Sequence, residues 1–289
     1  MKTLMASLAL TLAAGALPAA TLKIHPLAER VAPRAVHAAA DGGFSVDLPI
    51  VGRVRGVTTT FFTALDVTNN TASSTDVEFT WIPADGGAAR SGLLTTLGGF
   101  DNLHVDDFLG ALAANGFVAS PNNAFGTLLL TFTNPDFHNG TEATAVTRIY
   151  SFMSGTSGPT FGLAYRAPAL QTNGAHSLTS ILRAGNGMVA NLGIENVGID
   201  DTGRADGTPV TVQLTFFDPA TGAQAGDAML LTLAAGQVAQ LNDVAKSDRI
   251  VFVDEVAGTA QIRGYVVMKD AATNDGSFVF MQESPARTF

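Results

Sequence analysis

The chain has 289 residues, 46% of them apolar and only 14% charged, with 25 acidic against 16 basic residues and a net charge of −9. That length and apolar content allow well-buried cores and exclude a disordered polymer, and the acidic balance excludes nucleic acid as an expected partner. There is no Cys, which excludes a disulfide framework and a lipid-modified Cys anchor.

In chain order, Lys2 is followed by an uncharged, mostly apolar stretch from Leu4 to Leu17 and then by the small residues Pro18-Ala19-Ala20. This is the layout of a secretory signal peptide, assigned to residues 1–20. The apolar stretch is too short for a comfortable membrane span and no second one follows, so the mature protein is expected to have none. A secreted protein, extracellular or at the cell surface, is the expectation, with the periplasm as the other exported compartment. Export without disulfides is common in bacteria, so a bacterial source is expected. Residues 21–43, with Pro26, Pro33 and Ala38-Ala39-Ala40, show no strand alternation and read as a flexible leader.

Beyond residue 44 the chain repeats itself. Ala64–Asn69 matches Ala190–Asn196, and Val77-Glu78-Phe79-Thr80-Trp81 matches Val212-Gln213-Leu214-Thr215-Phe216. Leu94–Gly99 matches Leu230–Ala235, and Val105–Phe108 falls on Leu241–Val244. Gly158 with Phe161 and Pro168 parallels Gly276 with Phe278 and Pro285. The order is preserved, which predicts two copies of one domain, at 44–168 and 169–289.

Within each copy the period is two. Val77, Phe79 and Trp81 fall on one face with Glu78 and Thr80 on the other, and Val210, Val212, Leu214 and Phe216 repeat the pattern. Turn signals recur at Pro83–Gly86, Asp218–Gly222 and Asn274–Gly276. The expected fold is therefore all-β: two tandem antiparallel β-sandwich, immunoglobulin-like domains. One short helix is expected in the first, capped by Asp106 or Asp107 and ended by Gly116. Asn242-Asp243 is expected to cap a single turn in the second.

The repeat also weighs individual residues. Trp81 lies on the apolar phase of its strand and aligns with Phe216, which makes it core rather than a sugar platform. Tyr150, Tyr165 and Tyr265 are better candidates for surface aromatics, although strand aromatics are usually packing residues and carry no functional weight alone. His104 with Asp106 suggests an acid-base or metal pair, against the reading of Asp106 as a helix cap. No Gly-x-Ser-x-Gly elbow is present, and no His has a His or Cys partner at metal-ligand spacing, so the chain reads as non-catalytic without a required cofactor. Asp200, Asp201 and Asp206 lie in a loop inserted in the second copy, which reads first as a solvated hairpin tip, with calcium the candidate ion for its carboxylate oxygens as the alternative. Arg204 in the same loop and Asn134, Asp136, His138 and Asn139 in a loop longer in the first copy are the candidate ligand or partner contacts. Asn69-Asn70-Thr71 and Asn139-Gly140-Thr141 fit the glycosylation acceptor pattern.

The segments Gly126–Leu130, Ala145–Tyr150 and Gly158–Gly162, with Phe62–Asn69 as a first core strand, resemble secreted bacterial proteins with tandem immunoglobulin-like β-sandwich repeats. The resemblance implies fold and export and transfers no catalytic residue; Met268-Lys269 departs from it, standing where the first copy has an Arg and an aromatic. The leading function is a non-catalytic extracellular protein with a structural, adhesive or assembly role at the bacterial surface. The alternatives are a secreted glycan-binding module and a secreted hydrolase with its site in the inserted loops. Expected partners are other extracellular proteins, further copies of the chain, or surface glycans.

Overall fold

Alternating burial along Thr75–Pro83 is what the period-two pattern demands: Val77, Phe79 and Trp81 are buried, while Glu78 and Thr80 on the other face are half-buried. The computed structural model describes residues 24–26, 43–56, 59–138, 140–152, 160–169, 174–273 and 275–285. The signal peptide and most of the leader lie outside these residues.

The first half comprises β1 (His25–Pro26), β2 (Phe44–Arg55), β3 (Thr60–Asn69), β4 (Thr75–Pro83), β5 (Arg90–Leu97), β6 (Asn102–Val105), helix α1 (Phe108–Ala114), β7 (Ala124–Phe132), β8 (Ala143–Phe152) and β9 (Thr160–Arg166). The second comprises β10 (Ser177–Leu182), β11 (Met188–Asn196), β12 (Val210–Phe217), β13 (Met229–Leu233), β14 (Val238–Leu241), β15 (Arg249–Ala257), β16 (Ile262–Asp270), β17 (Gly276–Phe280) and β18 (Gln282–Glu283). All pairings between named strands are antiparallel. Strand order β5-β4-β7-β2 in the first half recurs as β13-β12-β15-β10 in the second, and β6-β3-β8-β9 recurs as β14-β11-β16-β17. Each half encloses its own apolar cluster between these layers.

The layers of the first half are joined into one sheet. β2 pairs with β7 from Phe44 to Arg53, and its last two residues pair with β3, with a register shift between Leu48 and Val51 that bends the strand. Residues 24–26, expected in the leader, add β1 to the edge of β5 and bury Ile24, whose N–H donates to Asn115 Oδ1 at 3.0 Å. Two residues are too few to show an alternation.

Register corrects parts of the sequence match. Leu65 pairs with Val105 and Leu192 with Leu241, so Leu65 and Leu192 are equivalent and the counterpart of Ala190 is Thr63, not Ala64. Thr147 pairs with Tyr165, and its equivalent Val266 pairs with Val279, so Phe278 answers Ala164 rather than Phe161. Asp107 caps α1 by accepting from Gly110 N–H, and Gly116 follows with φ +79. No helical turn follows Asn242; Asp243 has φ +51, a left-handed conformation that cannot begin a helix.

The outer face of β11 and β16 is the seam between the halves. Val238, Tyr265 and Val267 pack with Phe278 and Phe280 against Ile50, Ala84, Phe125 and Leu163. Tyr165 of the first half stacks on Phe278 with ring centroids 4.1 Å apart, and Phe278 stacks on Tyr265 at 4.9 Å. Gly193 makes this possible, because a Cβ there would overlap the Tyr265 ring. Val197 and Ile199, from the loop inserted in the second half, pack on Ile82 and Leu129. All three tyrosines expected at the surface are thus buried: Tyr165 and Tyr265 in or beside this seam, and Tyr150 among aromatic neighbours.

Candidate functional site

The same layer in the first half, β6-β3-β8-β9, turns its outer face away from the core with a different set of side chains. Phe62, Ala64 and Asp66 alternate on β3, and their cross-strand partners on β8 are Tyr150, Arg148 and Val146. Phe62, Tyr150 and Phe152 form a mutual aromatic cluster with centroids 5.7, 6.0 and 5.7 Å apart. Two guanidiniums flank it, Arg53 5.1 Å from the Phe62 ring centroid and Arg148 5.4 Å from that of Tyr150. Arg53 is held by Asp107 at 2.9 Å and Arg148 by the Thr160 hydroxyl at 2.6 Å. The Tyr150 hydroxyl donates to Asp106 O, and burial followed by the negative charge of Asp106 and Asp107 raises its pKa.

Beside this cluster, His104 on β6 lies opposite Asp66 in register. Its Nδ1 is 2.6 Å from Asp66 Oδ1 and its Nε2 is 3.0 Å from Asp106 Oδ1. The pair of His104 and Asp106 therefore forms, and the cap role falls to Asp107 alone. The hydrogen bond to Asp66, then that to Asp106, raises the His104 pKa against a smaller opposing effect of burial. The stability this supplies is complete below the ordinary His value, about 6.5, and is lost as pH rises through the raised value. Asp66→Asn is expected to lower the His104 titration midpoint in an NMR titration and to remove part of that loss from pH-dependent melting curves.

Asp66 and Asp106 occupy opposite nitrogens of one imidazole, so they do not converge on a point where a metal could sit. Among the described residues no group of three His, Cys, Asp or Glu side chains could hold a metal ion. No helix among them is long and apolar enough to cross a membrane.

The residues singled out from sequence lie elsewhere. Asp200 Oδ1 accepts from the Thr202 N–H and hydroxyl and from Arg204 N–H, and Asp206 accepts from Thr208 and Thr259. Asp201 meets His176 Nε2 at 2.8 Å and Gln261. Their pKa values are lowered chiefly by Thr202 for Asp200, by His176 for Asp201 and by Thr259 for Asp206. The three carboxylates thus serve three separate partner sets. Asn134 closes an Asx turn with Asp136 N–H and binds Ser74 O, while Asp136 and His138 are exposed and Asn139 lies outside the described residues. That loop borders a cleft of about 290 Å³ between the halves, lined by Phe44, Gly140, Arg166 and Phe280 among others. The 197–209 loop does not contribute to it.

The sequence reading missed Phe62, Arg53, Arg148 and Asp66 as a group. A signal exists: Phe62, Tyr150 and Phe152 occupy the strand phase opposite the buried Leu65, Val67 and Ala145.

No protein-family model matches the chain, and no curated protein matches it in sequence. Solved structures similar to it include the apo lectin of Pleurotus ostreatus, at 10% identity and TM-score 0.21 over 91% of this chain and 86% of the lectin. The same lectin in complex with GalNAc aligns at 9% identity and TM-score 0.21 over 83% and 85% of the two chains. The pilus backbone RrgB of Streptococcus pneumoniae aligns at 12% identity and TM-score 0.20 over 88% of this chain and 91% of its own.

Proposed function

We propose that the chain is an exported, non-catalytic protein of two tandem immunoglobulin-like β-sandwich domains, 44–168 and 169–289, that binds surface glycans through the β3–β8 face. The observation that carries this reading is the pair of half-buried rings Phe62 and Phe152, packed on the buried Tyr150, set between Arg53 and Arg148 and bordered by Asp66, His104 and Asp106. Sugars offer apolar C–H faces beside hydroxyls, and such a surface supplies ring edges for the former and carboxylate acceptors and guanidinium donors for the latter. Phe62→Ala and Asp66→Asn are each expected to weaken binding on a glycan array by about tenfold, with an unchanged circular dichroism spectrum. An array on which the wild type binds nothing, or on which both variants match it, sinks the reading.

A second reading, surface assembly, draws on a different face. Ile181 and Leu230 are 50% and 68% exposed on the outer side of the β13-β12-β15-β10 layer. A mass that stays monomeric at every concentration in sedimentation would remove it.

A further inference from the structure

Three charged side chains are buried in the seam between the halves. Asp47 comes from β2, Glu195 from β11 and Arg263 from β16, with residue exposures of 1%, 1% and 3%. Arg263 Nη1 bonds Asp47 Oδ2 and lies 3.9 Å from Glu195 Oε2. One cation therefore faces two carboxyl groups, and full ionisation would leave a net negative charge where water does not reach. The hydrogen-bond inventory of the cluster points the same way. Asp47 Oδ1 and Glu195 Oε2 have no donor, and Arg263 Nε and Nη2, turned from them, have no acceptor, although the two carboxyls lie within hydrogen-bonding reach of each other. A single proton on Glu195, donated to Asp47, supplies both the missing bond and the missing charge.

We propose that a proton shared between Glu195 and Asp47 locks the two halves together, and that its loss as pH rises loosens the seam. The groups around it are fixed by the fold: Arg263 and the Tyr265 hydroxyl from β16, Tyr165 from β9, and the Thr127 hydroxyl from β7. Arg263 is the one cation among them, and both tyrosines have pKa values raised by burial, so they stay neutral. Burial raises Glu195 well above the ordinary carboxyl range, with the Asp47 charge adding to it. Asp47 is raised in the same direction by burial, against Arg263. The folded state therefore holds a proton that the unfolded chain releases. The corresponding stabilisation is fully present below the unfolded Glu value, about 4.5, and is lost as pH climbs through the folded one.

A second titrating contact acts on the same seam. His176 bonds Glu255 of β15 through Nδ1 and Asp201 of the inserted loop through Nε2, beside Asp200 and Arg204 of that loop and the buried Asp254. Val197 and Ile199 of this loop are the residues that sit on Ile82 and Leu129. The His176 pKa is raised: burial, which lowers it, is the largest single influence, but the bonds to Glu255 and Asp201 together outweigh it. Protonated His176 thus ties the inserted loop to β15 on the acid side, and the loop in turn carries Val197 and Ile199 to the seam.

The test is amide hydrogen exchange of β16 and of residues 197–199 in the full chain, from about pH 5 to about pH 9, corrected for intrinsic exchange. For release of one proton the opening constant rises by up to about tenfold per pH unit. Glu195→Gln, which keeps the shape and can donate permanently to Asp47, is expected to flatten that rise, and His176→Asn to remove a separate, smaller part of it. Wild-type opening that does not change with pH overturns the proposal. So does a rise that survives Glu195→Gln and vanishes in His176→Asn. Should Glu195→Gln fail to fold, the carboxyl carbon shift of Glu195 followed against pH decides: it is expected to hold the protonated position beyond the pH at which an exposed Glu ionises, and ionisation in the ordinary Glu range overturns the shared proton.

Discussion

Replacing Arg263 by Met is expected to destabilise the protein by about 3–5 kcal/mol, the loss typical of removing one partner from a buried ion pair. Asp47 would then face Glu195 with no cation between the halves, and its carboxylate would have to be neutralised or hydrated at the expense of the packing around Tyr165, Phe278 and Tyr265. For a chain of this size unfolding as one unit the melting midpoint should fall by about 5–8 °C. The informative comparison is the triple replacement Asp47→Leu, Glu195→Met and Arg263→Met. Apolar substitution of a whole buried ionic set is often neutral or stabilising, so the triple variant should recover most of what the single one loses. It should also lose the pH dependence of the seam. Thermal and urea unfolding of the two variants, read by near-ultraviolet circular dichroism, checks both. A single variant as stable as the wild type would mean that Arg263 does not hold the seam.

Much of the fold was legible because sandwich cores impose period two on the sequence and because the chain carries its own comparison. The counterpart relation of Trp81 and Phe216 placed both in cores, where they are found 3% and 8% exposed. A helix cap at Asp106 or Asp107 and Gly116 beyond the helix followed from local chemistry alone, and the structure gives the cap to Asp107. The seam was not legible. Asp47 and Glu195 alternate with apolar neighbours as solvent-facing residues do, and only docking of the second half buries them. The same holds for Tyr165 and Tyr265, since a strand's outer face looks alike in sequence whether it meets water or another sheet. The candidate site was missed for the converse reason. Its members come from β2, β3, β6 and β8, and only register brings Asp66 opposite His104 and Phe62 opposite Tyr150. The inserted 197–209 loop was expected to carry ligand contacts; the structure sets Val197 and Ile199 of that loop against the first half.

Alanine at Asn196, and separately at Asn69, is expected to cost about 3 kcal/mol each, because each truncation orphans three backbone groups at once. Asn69 ends β3 and Asn196 ends β11, both fully buried. Asn69 Nδ2 donates to Ser73 O and Gly98 O, while its Oδ1 accepts from Thr71 N–H. Asn196 repeats the arrangement with Thr208 O, Leu233 O and Gly198 N–H. The amide nitrogen of Asn69 is thus spent, which removes Asn69-Asn70-Thr71 as a glycosylation acceptor in the folded protein. Only an amide has two donors and an acceptor in this geometry; Asp would keep the acceptor, lose both donors and bury a charge, so Asn→Asp should cost at least as much as Asn→Ala at neutral pH. The pair also reports on how the halves are coupled. If the seam of Tyr165, Phe278, Tyr265 and Arg263 makes one cooperative unit, each variant lowers a single shared transition, and the double variant loses close to the sum of the two, since the sites share no partner. If the seam contributes little, each variant lowers only the transition of its own half and leaves a second one unmoved. A single transition at acid pH that splits in two as pH rises would be the calorimetric counterpart of a seam held by a proton.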